Sequence, residues 1–461
     1  MMAAKRAHVI GIGVSGKAAA LLLLKHGWSV IVSDNLERRQ ASETVSELTD
    51  AGAVVFVGGH ENALEVEVDL AVISPGIPMR ADIVQQLVAK GVHIISELEL
   101  GWRYCKGSAA AVTGSNGKTT TSALIGEIFA KSGRPAFTCG NIGLPISMIA
   151  DQTTDDTLLS LEASSFQLMT IDTFKPKVVI LLNLSPDHLD WHGDFESYVR
   201  AKSRIWLNHT TQEWLVYNQD DPRVVELVRG AASSKFPFSL SGRLKLGAFY
   251  HRAELVAILP DGREFVYKRS GLQLLGDHNV ANALAALSAA LLIGVDFKAV
   301  EAGLKSFKSY PHRLETVREL NSVKWINDSK ATNVDAGLVA LEAIRQPIVL
   351  IAGGRPKGGG FRDLLRGPVE RIKAAILIGE AAVDIIRDIG AEVNVMCAQD
   401  LNDAVIRAGE IASPGDAVLL SPLCASFDMF RNFEERGDVF REIVNKLPGE
   451  NGKPKKRPAQ I

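Results

Sequence analysis

A buried-looking strand that breaks at glycine and hands directly over to a helix leaves a chain few folds to choose from. Residues 109–133 carry that sequence of events. The apolar run Ala109 to Val112 leads into Thr113-Gly114-Ser115-Asn116-Gly117-Lys118-Thr119-Thr120, and a helical pattern over 121–131 stops at Gly133. Such a turn suits a polyphosphate. Glycines let backbone N–H groups close around oxygens, the helix N-terminus adds partial positive charge, and a hydroxyl can reach Mg²⁺. The general phosphate-loop pattern has glycine six positions before the lysine, where this chain has Val112. ATP binding through Gly114, Ser115, Asn116, Gly117, Lys118, Thr119 and Thr120 is the expectation, with Thr119 toward the metal.

Strand-like runs alternate with longer intervals along the chain. Runs at 8–11, 29–33, 54–57 and 70–74 form one series. A second begins at 109 and includes 157–161 and 178–182, and a third includes 348–351, 374–378 and 417–420. This is the pattern of mainly parallel α/β sheets. The expected architecture is α/β with three domains: Rossmann-like 1–96, a central ATPase-like 97–308, and Rossmann-like 309–447. The β-textured stretch from Arg243 to Leu275 reads as a small antiparallel elaboration of the middle one. The polar, basic end 448–461 reads as a flexible tail.

The first series opens with a second glycine loop, Gly11-Ile12-Gly13-Val14-Ser15-Gly16, and Asp34 lies eighteen residues after Gly16. That spacing matches a dinucleotide fingerprint. It specifies a diphosphate on a helix N-terminus and leaves the rest of the ligand open, so a nicotinamide or flavin enzyme is one reading.

Acidic and basic side chains gather at other strand ends. Glu162 closes the 157–161 run in Glu162-Ala-Ser-Ser-Phe-Gln167, where a carboxylate beside a phosphate loop can coordinate Mg²⁺. The 178–182 run passes into Asn183-Leu-Ser-Pro-Asp187-His188-Leu-Asp190. A helix from Phe195 to Asn208, capped by Asp194, sets Tyr198 and Lys202 one turn apart.

Net charge is −2, which gives no broad cationic field for nucleic acid or membrane. The four cysteines form no Cys-x-x-Cys pair, which argues against zinc and disulfides and fits a reducing, cytoplasmic setting. Apolar runs are too short to span a bilayer.

Together, Thr-Gly-Ser-Asn-Gly-Lys-Thr, Tyr198-Val-Arg-Ala-Lys202, Asn327-Asp328-Ser-Lys330 and Cys424-Ala-Ser426-Phe-Asp-Met-Phe-Arg-Asn-Phe433-Glu-Glu-Arg-Gly437 resemble motifs of the Mur ligase superfamily. The resemblance extends from Ile10 to about Val444. It implies an ATP-dependent ligase that adds D-glutamate to the alanyl carboxylate of UDP-N-acetylmuramoyl-L-alanine through an acyl phosphate. The first domain would hold the UDP group through Gly13, Val14, Ser15, Asp34, Asn35, Ser74 and Gly76, with Asn141 at the muramoyl end. Some family members carry arginine where this chain has Leu36, with Arg38 and Arg39 nearby.

For the chemistry, the resemblance implies Lys118, Glu162, His188 and Lys202 as catalytic residues. It also implies two Mg²⁺ ions held by Thr119, Glu162, His188 and a CO₂-derived carbamate on Lys202. Asn282 would contact adenine, and Arg313, Asp328 and Lys330 the remainder of ATP, with ATP binding drawing the third domain over the second. His188, Thr332, Lys357, Ser426 and Phe433 would receive glutamate. Where many members carry an acidic residue and glycine before that lysine, this chain has Arg355 and Pro356. Partners would be these small molecules alone, with a monomer expected. Rival readings are a nicotinamide-dependent oxidoreductase, a nucleotide-controlled switch, and a ligase of the same superfamily with another amino acid or a folate acceptor.

Overall fold

The computed structural model describes residues 5–37, 42–308, 310–356 and 360–449. Three sheets organise them. The first contains five parallel strands in the order Val54–Val57, Ser29–Asp34, Arg6–Ile10, Leu70–Ile73 and His93–Ser96. Its strands are nearly continuous apolar runs because helices cover both faces. Ala7, Val9 and Leu23 are fully buried on one side, while Val84 and Leu87 pack on the other. The chain order reverses between Arg6–Ile10 and Leu70–Ile73, so the crevice between their carboxyl ends is where such a sheet receives ligands.

The central sheet has nine strands. Seven are parallel: Gly247–His251, Ser234–Ser239, Trp214–Asn218, Val178–Leu181, Ser108–Thr113, Leu158–Glu162 and Ala136–Gly140. Two more, Glu254–Ile258 and Glu264–Lys268, continue from Gly247–His251 as an antiparallel meander. This is the elaboration expected from the alternating texture. Register brings Glu162 level with both Val112 and Gly140, and Leu181 level with Thr113. Four strand ends therefore open on one edge.

The third sheet has an antiparallel first pair, Glu315–Leu320 with Val323–Asn327. Parallel strands Ala417–Leu420, Ile348–Gly353, Ile372–Ile378 and Val395–Cys397 follow. Separate apolar cores line its faces, around Leu350, Leu377 and Leu419 on one and Trp325, Ile376 and Phe440 on the other.

The compact units number two. Residues 1–272 and 280–307 form one, and 273–279 with 308–461 the other. Ser96 shows why the first two sheets share a unit. It ends the last strand of the first sheet, accepts the Glu99 N–H at 3.3 Å and starts helix Glu97–Tyr104. That helix buries Glu99, whose carboxylate accepts from the N–H groups of Asp172, Thr173 and Phe174 and from the Thr173 hydroxyl and Arg103. The junction is thus a packed element.

Other helices start or stop away from their expected limits. The helix after the phosphate loop begins at Lys118, and the one bearing Lys202 ends as α-helix at Ser203 before a short 3₁₀ turn, Arg204–Trp206.

Candidate active site

In the first unit, Gly11 takes φ 96° beside Ser74, and a Cβ on Gly16 would collide with the Gly11 carbonyl. Only glycine lets helix Val14–Lys25 start this close to the preceding strand. Gly13 caps that helix without a side-chain bond, leaving its entrance to backbone N–H groups, with Val14 exposed and Ser15 half-buried. Asp34 braces the turn. Its carboxylate accepts the Ile12 N–H at 2.9 Å and the Leu36 N–H at 2.8 Å. Asn35 and Gly76 are exposed at the same sheet edge, and Ser74 donates to Gly11 O at 3.5 Å. Arg38 and Arg39 lie outside the described residues.

The phosphate loop sits on the central sheet. Gly114 and Gly117 take φ 150° and 84°, and a Cβ on Gly117 would run into the Asn282 amide. Asn282 is itself buried against the loop. Lys118 lies over the turn, its Nζ donating to Gly114 O and Ser115 O at 2.7 Å each. Thr119 and Thr120 are buried in the first helical turn.

Asn183, at the start of the segment that leads to His188, is the loop's main clamp. Its carbonyl accepts the Ser115 N–H at 3.0 Å, and its amide accepts the Asn116 N–H at 2.8 Å while donating to Asn116 O at 3.1 Å. Ser115 Oγ donates to Ser185 O and accepts Ser185 N–H, both at 2.9 Å, with Tyr198 OH at 3.0 Å. The segment that leads to His188 is therefore zipped to the phosphate loop. No local sequence signal separates Asn183 from an ordinary turn asparagine.

Lys202 is almost fully buried, with Nζ donating to Gly114 O at 2.8 Å and lying 4.5 Å from the Tyr198 ring centre. Burial pushes its pKa well below the ordinary lysine value. Lys118 adds to the fall, while Asp187 and Glu162 oppose it. Glu162 is buried at its strand end. One oxygen accepts the exposed Asn141 amide at 3.0 Å, and the other, Oε2, has no hydrogen-bond partner. His188 takes a left-handed φ of 52° on an exposed turn, 3.5 Å from Asp187 and packed edge-on to Phe166. Its neighbour in the motif, His192, stacks on Phe166 and pairs with Ser165 at 2.9 Å.

In the second unit, Asp328 is buried and accepts from Leu314 N–H at 3.1 Å and Ser421 Oγ at 3.2 Å. Burial raises it to about 7. It thereby holds the turn that carries Arg313. Lys330 Nζ lies 3.7 Å from the Phe433 ring centre, so two residues expected to serve different substrates are in contact. Thr332 is half-buried just beyond, and Ser426 is buried near the start of the last signature.

Arg436 from that signature is wholly buried without a carboxylate partner. It donates to Ser329 and to the carbonyls of Cys424 and Ala425, and desolvation lowers it to about 10. Its task is to shape the Ser426 turn. A Cβ at Gly437 would strike His312, which explains the glycine. Lys357 lies outside the described residues. Arg355, two positions earlier, pairs with Glu380 through two bonds at 3.2 and 3.0 Å.

Among the described residues no three His, Cys, Asp or Glu side chains gather as a metal cluster. Mg²⁺ is commonly held by one or two carboxylates with water and substrate phosphates. The unpaired Glu162 oxygen and the buried Thr119 hydroxyl fit such a site.

Two glycine loops on mainly parallel sheets, one carrying a lysine for phosphates, define a nucleotide-handling α/β protein. Residues 5–96 match the MurD-like N-terminal domain of Mur ligases, 112–290 the Mur ligase middle domain, and 312–424 the Mur ligase glutamate ligase domain. A UDP-N-acetylmuramoylalanine--D-glutamate ligase of Pelotomaculum thermopropionicum is 42% identical over 445 residues, covering 96% of this chain and 98% of the relative. One of the same description from Acidobacterium capsulatum is 42% identical, covering 95% and 96%. Among solved structures, a MurF ligase of Thermotoga maritima in complex with ADP shares the fold, with TM-score 0.59 at 18% identity, covering 91% and 95%. The chain belongs to the Mur ligase family.

Proposed function

We propose that the chain is an ATP-dependent ligase joining D-glutamate to the alanyl carboxylate of UDP-N-acetylmuramoyl-L-alanine, a step of peptidoglycan precursor synthesis carried out in the cytoplasm. The observation that carries this reading is a buried amine, Lys202, and an unpaired carboxylate oxygen on Glu162 at a lysine-bearing phosphate loop. They belong to a chain 42% identical to glutamate-adding ligases over 96% of its length.

The alanyl carboxylate attacks the γ-phosphate of ATP, and ADP leaves. The amine of D-glutamate then attacks the acyl phosphate carbonyl and expels phosphate. Lys118, held over the loop by two carbonyls, faces the charge that builds during phosphoryl transfer. Positioning and electrostatics supply most of the catalysis. Mg²⁺ would be held by Thr119, Glu162, His188 and a carbamate on Lys202, and would neutralise phosphate charge. Burial favours the neutral Lys202 amine, the form that reacts with CO₂, and carbamylation would turn a nitrogen donor into oxygen ligands.

UDP would lie on Gly13, Val14 and Ser15 beside Asp34, Asn35, Ser74 and Gly76, with Asn141 toward the muramoyl end. Asn282, Arg313, Asp328 and Lys330 would serve ATP. Thr332, Lys357, Ser426 and Phe433, with His188, would serve glutamate, and the chain would act as a monomer.

The test is ADP release across UDP-sugar acceptors crossed with L- and D-amino acids. Release is expected only when UDP-N-acetylmuramoyl-L-alanine and D-glutamate are both present. Equal release without the amino acid would favour a nucleotide switch, and NAD binding at the first loop an oxidoreductase.

A further inference from the structure

Beneath the first glycine loop lies a hydrogen-bonded chain that no part of the reaction above uses. His8 is fully buried on the central strand of the first sheet, and its Nε2 lies 2.7 Å from Ser33 Oγ. The same hydroxyl lies 2.7 Å from Nδ1 of the half-buried His60. A serine hydroxyl has one proton, so it can donate to only one of the two rings and must accept from the other. The remaining nitrogen of His8, Nδ1, is buried and without a partner. An orphaned buried N–H is rarer than an unfilled acceptor, so the His8 proton belongs on Nε2. His8 then donates to Ser33, whose fully buried hydroxyl would be orphaned unless its own proton went to His60 Nδ1, so a neutral His60 carries its proton on Nε2.

Both rings are neutral at physiological pH. Burial takes His8 to about 4, helped by His60, and burial also lowers His60 although Asp34 and Glu61 pull it upward. The place of His60 gives the tautomer a use. Asp34 and Val57 are level at the carboxyl ends of neighbouring strands. The Gly59 N–H donates to Asp34 O at 3.2 Å, and the Gly58 N–H to Leu36 O at 2.9 Å. A nucleotide whose diphosphate lies on Gly11–Gly16 and whose ribose lies by the acidic residue of the next strand extends along this edge. Gly58, Gly59 and His60 stand next along that edge, with His60 close enough to Asp34 to feel its charge.

We propose that His60 recognises the uracil of the nucleotide substrate by donating its Nε2–H to a carbonyl oxygen of the base, with Ser33 and His8 fixing the tautomer from below. The assignment rests on the reading that UDP occupies the first glycine loop. His60 is a specificity residue, and His8 and Ser33 are positioning residues acting through it.

The experiment is calorimetric titration of UDP into the full chain saturated with a non-hydrolysable ATP analogue, together with ¹⁵N-histidine NMR of the same protein. His60→Ala is expected to weaken UDP binding up to about tenfold, the scale of one neutral hydrogen bond, with affinity for the ATP analogue unchanged. Ser33→Ala keeps the ring but frees the tautomer, so its loss should be smaller. The spectrum should show His60 protonated on Nε2 in the parent and mixed in Ser33→Ala. Unchanged UDP affinity in His60→Ala, or an Nδ1-protonated His60 in the parent, would overturn the assignment while leaving UDP on the loop. Failure of UDP to bind the parent protein would instead remove the glycine-loop reading, and this assignment with it.

Discussion

At the scale of single residues, the proposed chemistry turns on Lys202. A buried ammonium on the Gly114 carbonyl would sit beside Lys118, and both desolvation and that like charge favour the neutral amine. A neutral amine is the form that can attack CO₂, so activity should depend on dissolved CO₂. We expect turnover to fall when bicarbonate and CO₂ are stripped from the assay and to return when they are restored. Lys202→Ala should lose nearly all activity and recover part of it with millimolar acetate or formate, which restore a carboxylate. Indifference of the parent enzyme to CO₂, with no rescue of the variant, would leave Lys202 as a structural amine. The glycines and lysine of the loop were legible in the chain because their spacing is local. Asn183 was not, since its value lies in three bonds to residues 67 or 68 positions away.

At the scale of elements, the phosphate loop owes its shape to its neighbours as much as to its glycines. Removing the Asn183 side chain deletes two bonds to the Asn116 backbone and leaves an N–H and a carbonyl to find water. Each such bond contributes about 0.5–1.5 kcal/mol. Asn183→Ala should therefore raise the KM for ATP roughly tenfold while leaving the KM of the UDP substrate near its parent value. Equal effects on both would mean that the change spread beyond the loop.

Helix Glu97–Tyr104 offers a second test. Glu97 is buried, with Ser147 N–H donating to one oxygen at 2.8 Å and the other oxygen unpartnered. Desolvation raises its pKa from 4.5 to about 7. The folded state thus binds a proton more tightly than the unfolded chain. The stability this proton adds is full below the unfolded pKa and is lost as pH rises through about 7. Glu97→Gln mimics the protonated acid. It should change little at pH 5 and stabilise at pH 8 by a difference on the order of 3 kcal/mol. The unfolding midpoint in urea, measured at both pH values, checks it. A variant equally displaced at both would show that Glu97 does not titrate in this window.

At the scale of the whole molecule, the strand series and their glycine punctuation were readable because parallel sheets write long apolar runs. Which sheets unfold together was not, because cooperativity follows side-chain contacts between distant segments. Glu99 looks like any acidic residue in an amphipathic helix, yet its carboxylate gathers bonds from residues 172–174. Helix Glu97–Tyr104 also packs so closely on Ile146–Ile149 that a Cβ on Gly101 would meet the Ser147 backbone at 2.6 Å. These contacts join the first sheet to the central one in a single unit, 1–272 with 280–307.

Binding at the first glycine loop should therefore stabilise both sheets. At a ligand concentration one hundred times Kd the gain is about 2.7 kcal/mol. Hydrogen exchange with UDP present should show added protection in the strands Arg6–Ile10 and Ser108–Thr113 together, with slow amides of Ile348–Gly353 unchanged. Protection confined to residues before Ser96 would mean that the first sheet unfolds alone. The Glu99 carboxylate would then be a local cap without cooperative consequence. Glu99→Gln provides the internal control. It weakens the junction without touching either glycine loop, so the protection of Ser108–Thr113 by UDP should fall while that of Arg6–Ile10 persists.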